Sequence, residues 1–167
     1  TIATGHADEG MITGHSFGGA PAIIPADLVS RTRDAVSLLT VGSSAAIIAL
    51  DPREARLKPA ITALYERDGV CWRDYFAPQD ALCFPRVRPL RDYDIKPKRP
   101  FKGDVSVQTA VFGKVYSERK IRKFRWNFLR MHFQFIMAAD VPGGYDWIRF
   151  TLGPNHLKNA RLNDAAP

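Results

Sequence analysis

The run Gly14-His15-Ser16-Phe17-Gly18-Gly19 carries the residues best suited to chemistry in this chain. It fits G-x-S-x-G. It follows Gly10–Gly14, which reads as the end of a buried strand, and precedes a stretch with apolar residues at helical intervals. A serine on a sharp strand-to-helix turn is held in a strained backbone conformation. The small residues Gly14 and Gly18, two before and two after it, relieve the crowding. Oγ then stands above the end of the sheet, where the Phe17 N–H and the positive end of the helix can stabilise an oxyanion. A bare G-x-S-x-G also occurs in glycine-rich loops without chemistry. The strand-to-helix context and the second glycine, Gly19, favour a nucleophile.

Such a serine needs a base, and the base needs a carboxylate to orient it. Behind an elbow of this kind the acid and then the histidine follow the serine along the chain. Asp80 lies just past a β-rich run that ends at Phe76, where parallel sheets present catalytic groups. Asp51 sits beside Pro52 at an expected helix start, where capping explains it. Asp74 falls inside a strand and would point sideways. Of the four histidines, His6 and His15 precede the serine, and His15 is too close to fold back onto Oγ easily. His156 follows Gly153-Pro154-Asn155 in a polar tail. His132, embedded in Leu129-Arg130-Met131-His132-Phe133-Gln134-Phe135, remains. A lone histidine among apolar residues is more often core packing, but order and spacing favour a base here.

The surrounding sequence reads as strand, helix, strand, helix, strand, which implies an α/β fold, a parallel sheet with helices on both faces. The spacing predicts a helix over Phe17–Ser30, with Pro21 near its first turn and Pro25 deep enough to shorten or break it. Val36–Gly42 reads as a strand buried on both faces, Pro52–Asp68 as a helix ended by Gly69, and Val70–Phe76 as a third strand. Ala77-Pro78-Gln79-Asp80 is a turn. Residues 85–104 hold four prolines and many charges, and read as an exposed excursion. Val105–Phe112 suits an edge strand or hairpin arm. Ser117 is the expected N-cap of a basic helix running to about Met131, with Ile121, Phe124, Phe128 and Met131 as its apolar stripe. Residues 1–155 form the expected domain and 156–167 a polar tail.

The chain has 167 residues, 46% hydrophobic and 25% charged, enough for one sizeable core. Cys71 and Cys83 are the only cysteines; their number and spacing suit two thiols in a reducing compartment rather than a disulfide framework. The histidines show no metal-ligand spacing with each other or with the cysteines, so no metal is expected. No nucleotide or flavin cofactor is indicated either. Thr1 to Glu9 lacks the pattern of a secretory signal, and no apolar run reaches the length of a membrane span. A protein of the cytoplasm or of the inner face of a membrane is the expectation. The net charge of +7 lies largely at Lys96–Lys102 and Arg119–Arg130. Such clusters are usually solvated surface, yet they also suit anionic lipid or the phosphates of nucleic acid.

The runs GHSFGGA, VSLLTVGSS, CWRDYFAPQDALCF and FRWNFLRMHFQFIMAAD resemble an uncharacterised group of bacterial α/β-hydrolases, similar at the core to class 3 lipases. The resemblance covers most of residues 8–153. It is specific at the elbow, moderate around Asp80 and His132, and weak over 85–115. It implies a triad of Ser16, Asp80 and His132, with the Phe17 N–H as one oxyanion donor and a small-molecule or lipid ester as substrate. It also implies that this chain is the C-terminal half of the family's domain, starting at the nucleophile-elbow strand, with the second oxyanion donor upstream. Loss of one such donor costs about 10²–10³ in kcat. The absence of an initiator Met agrees. The alternative is a catalytically idle hydrolase fold that binds an anionic membrane through its basic helix, with nucleic acid the weaker partner.

Overall fold

The computed structural model describes residues 8–83 and 87–160. The polar opening with His6, the stretch 84–86 with Pro85, and the last residues of the expected tail, 161–167, lie outside the described residues. Four strands, β1 (Gly10–His15), β2 (Val36–Val41), β3 (Val70–Phe76) and β4 (Asp104–Thr109), form one sheet in the order β1-β2-β3-β4. Every neighbouring pair is parallel. The architecture is α/β.

A parallel sheet built in chain order, with right-handed crossovers, carries all its crossover helices on one face. Here those helices are α1 (Gly19–Ser30), α2 (Ala45–Leu50), α3 (Leu57–Glu66) and α4 (Pro89–Asp92). Ile23, Ala26, Leu57, Ile61 and Leu64 pack with Leu38 and Trp72 of the sheet. On the other face Leu39, Val41, Cys71 and Tyr75 meet Phe112, Val115, Met131, Phe135, Tyr145 and Phe150. These come from the chain after β4, which includes α5 (Phe112–Val115), α6 (Glu118–Phe124), α7 (Phe128–His132) and α8 (Trp147–Leu152). All six residues of β2 are buried, which is why its sequence shows no polar alternation. The register pairs His15 with Val41 and Val41 with Tyr75, so the carboxyl ends of the first three strands finish together.

Several elements differ from their sequence-based expectations. Pro25 does not break α1, which runs unbroken from Gly19 to Ser30. The amide it lacks would have bonded to the Pro21 carbonyl, and both prolines face solvent, where water can satisfy that oxygen. The helix expected over Pro52–Asp68 starts only at Leu57. Pro59 explains the late start. In a longer helix its ring would clash with the Ala55 carbonyl, whereas in a first turn its missing N–H is harmless. Ala45–Leu50 is helical too, and Asp51 ends it.

The excursion at 85–104 is only partly outside the core, because Tyr93 and Ile95 are buried against α3 and the sheet. The basic helix expected over 117–131 is two helices. Ser117 caps α6 by accepting from the Lys120 N–H, as expected. Asn127 then caps α7, its side chain accepting from Arg130 N–H at 3.0 Å. The restart breaks the apolar stripe, leaving Met131 buried and Phe128 exposed. Leu157, in the expected polar tail, is also buried; its N–H donates to the Glu9 carboxylate. Among the described residues no helix is long and apolar enough to cross a membrane.

Candidate active site at the strand ends

Ser16 follows β1 directly and has φ 57°, a left-handed backbone that costs a non-glycine residue about 1–3 kcal/mol. Its carbonyl is pinned by the Ser44 N–H at 3.1 Å and the Ser44 hydroxyl at 3.3 Å. Ser16–Gly18 form a 3₁₀ turn that leads into α1. Amides in such a first turn, the Phe17 N–H among them, have no intrahelical acceptor.

The glycines divide the steric work differently from the expectation. A Cβ on Gly14 would stand 2.5 Å from the Gly18 carbonyl oxygen and 2.8 Å from the Ala22 Cβ. A Cβ on Gly19 would overlap Ser43 Oγ. Gly18, expected to relieve crowding, would meet nothing within 4 Å. Close approach is required at Gly14 and Gly19, and not at Gly18.

Asp80 ends the turn after β3. Its Oδ1 accepts from the Leu82 N–H at 3.0 Å, and its Oδ2 lies 2.5 Å from His132 Nδ1. Asp80 and His132 are only 3% and 4% exposed. With Nδ1–H donating to the carboxylate, the lone pair of the ring belongs to Nε2. That nitrogen is buried and makes no hydrogen bond. Ser16 and His132 are therefore not directly bonded, and the structure joins Asp80 to His132 alone. The His132 ring rests edge-on against Phe135, centroids 6.1 Å apart. It closes over Gly42 (φ 54°), where a Cβ would come 2.9 Å from His132 Cε1 and 2.8 Å from Phe135 Cε2.

No family model, curated protein or solved structure matches this chain.

Two neighbours of His132 escaped the sequence-based reading. His15, set aside because it precedes Ser16 and cannot easily fold back onto its Oγ, places its Nε2 3.3 Å from the His132 carbonyl oxygen. Burial, and next the proximity of His132, lower its pKa below the usual 6.5. Strand alternation was the available signal, since it sends residue 15 to the face that Tyr75 and the C-terminal helices cover. Gly42 had no comparable signal.

The remaining candidates lie elsewhere. Asp51 pairs with Arg53 at the surface. His156 Nδ1 is 3.7 Å from Glu9 Oε1, near residues that start the strands. Asp74 points to the face opposite His15 and accepts from Thr40 Oγ1 at 2.6 Å, while Trp72 Nε1 donates to that hydroxyl at 2.9 Å. Burial pushes its pKa up to about 6. Among the described residues no three His, Cys, Asp or Glu side chains cluster as metal ligands.

Proposed function

We propose that the protein is a serine hydrolase of the α/β-hydrolase type acting on a carboxylic ester. Ser16 is the nucleophile, His132 the general base and then acid, and Asp80 the orienting carboxylate. The buried contact between Asp80 Oδ2 and His132 Nδ1 carries this reading. It selects the tautomer whose Nε2 can take a proton, and it compensates the imidazolium that forms when it does. Three parallel strand ends and a strained serine at a helix start support it.

Ser16 Oγ attacks the ester carbonyl as its proton passes to His132 Nε2, and the carbonyl oxygen becomes an oxyanion facing the Phe17 N–H. Collapse breaks the bond to the alcohol oxygen, which leaves with the proton from His132. Water, deprotonated by the same nitrogen, then frees the acid and returns Ser16 to its hydroxyl form. Phe17 is 72% exposed and Phe133 40% exposed, which suits an apolar acyl or alcohol group.

Hydrolysis of p-nitrophenyl esters of increasing chain length tests the proposal. The protein is expected to turn them over, and Ser16→Ala to lose at least about 10³-fold in kcat. Equal rates from the two proteins would overturn it.

A further inference from the structure

The break between α6 and α7 has a consequence at the surface. Trp126 is 78% exposed, Leu129 60% and Phe128 52%, so three large apolar side chains point outward within four residues. A single amphipathic helix would have turned part of this set into the core. Arg119, Arg122, Lys123, Arg125 and Arg130 are all exposed around them. Lys120 is tied to Asp140 and Arg122 lies 3.8 Å from Glu118. Among the described residues Arg119, Lys123, Arg125 and Arg130 make no ion pair.

Three of these cations lie against aromatic rings. Arg125 sits 5.2 Å from the Trp126 ring centroid, and Arg130 and Lys123 sit 5.5 and 5.7 Å from that of Phe124. We propose that the α6–α7 corner is a docking surface for an anionic lipid bilayer, into which Trp126, Phe128 and Leu129 insert while the surrounding cations meet lipid phosphates and carboxylates. Charge complementarity selects the partner. A tryptophan whose apolar ring and N–H suit the headgroup boundary, flanked by cations, is the composition that partitions there. Single-stranded nucleic acid fits less well, because Leu129 offers no ring for a base to stack on.

The patch also continues toward the strand ends. Leu129 and Phe133 stand four residues apart across the end of α7, on one side of the chain. Phe133 is exposed, and its ring lies 5.4 Å from that of His15. A docked molecule therefore turns the Ser16 end of the sheet toward lipid. Docking itself does not depend on the hydrolase proposal.

Co-sedimentation of the protein with vesicles tests this, using phosphatidylcholine alone and phosphatidylcholine mixed with phosphatidylserine. Binding is expected only to the mixed vesicles and is expected to weaken as salt rises. Each surface cation contributes about fivefold in affinity, so Lys123→Gln with Arg125→Gln should weaken binding by roughly 25-fold. Trp126→Ala should abolish the quenching of tryptophan fluorescence by brominated lipid. All three positions are exposed, and circular dichroism would verify the fold of each variant. Ser16→Ala, a change that abolishes hydrolysis on the proposed mechanism, should bind as the parent does, separating the two proposals. Equal binding to both vesicle types would overturn the inference. So would binding unaffected by the variants, or retention by a single-stranded RNA oligomer with none by vesicles.

Discussion

His15 Nε2 lies 3.3 Å from the backbone carbonyl oxygen of His132, and the two rings are 4.6 Å apart centroid to centroid. A neutral His15 with its proton on Nε2 donates to that carbonyl and fixes the end of α7. A protonated His15 would oppose the imidazolium that the proposed mechanism requires of His132. Burial, followed by His132 itself, holds the His15 pKa below 6.5, with Asp80 a smaller opposing influence. In the unfolded chain His15 protonates near 6.5, whereas in the folded protein it resists. Stability is therefore lost as pH falls through that value, until folded His15 protonates as well. Thermal unfolding across mildly acidic pH should show a shallower decline for His15→Gln than for the parent. Parallel declines would contradict this role.

Replacing Asp80 by Asn separates charge from geometry. Asn in place of Asp80 can still accept the Leu82 N–H through its Oδ1, but it carries no charge and presents an N–H₂ where His132 needs an acceptor. Asp80→Asn should lower kcat by about 10⁴-fold with a modest change in KM. A loss under tenfold would show that His132 needs no orienting carboxylate.

The glycines give a contrast that can be measured in one experiment. Gly42→Ala introduces a left-handed alanine and a methyl against His132 and Phe135, so urea unfolding should report a loss of about 1–3 kcal/mol. Ester turnover should fall as well. Gly18→Ala meets open space and should stay within about 0.5 kcal/mol of the parent. Equal behaviour would mean that His132 does not close over Gly42.

Asp74 gives a second pH dependence, of opposite sign. Its folded pKa of about 6, against 3.8 ordinarily, means that the folded protein holds a proton which the unfolded chain has lost. Stability falls as pH rises between those values and is then level. Asp74→Asn keeps an acceptor for Thr40 and removes the charge. It should therefore stabilise the protein by on the order of 1–3 kcal/mol at about pH 7.5, and by little at about pH 4. Urea unfolding at the two pH values checks this, and a destabilised variant at the higher pH would refute it.

β2 and β3 were legible because each is a largely buried apolar run closed by a turn, whereas β4 has no buried residue and was legible by its alternation alone. Val70–Phe76 has the limits its sequence indicates, and β2 ends one residue earlier than expected. The helices were less so. Pro59 delayed the start of α3, and Asn127 ended one helix by capping the next. Both are local competitions that apolar periodicity does not register. Chain order singled out Asp80 and His132, and their contact reflects how a parallel sheet converts chain order into spatial order at its carboxyl edge. His15 and Gly42 depend on what the C-terminal helices lay over the strand ends. That long-range packing leaves little trace in the local sequence.

In the proposed mechanism Ser16 is a nucleophile activated by His132 and Asp80. Intact-mass analysis after incubation with a fluorophosphonate probe tests it most directly. A single adduct mapping to Ser16, strongly slowed in His132→Ala and absent in Ser16→Ala, is the predicted result. A folded protein that gains no adduct, or gains one equally well without His132, would contradict it.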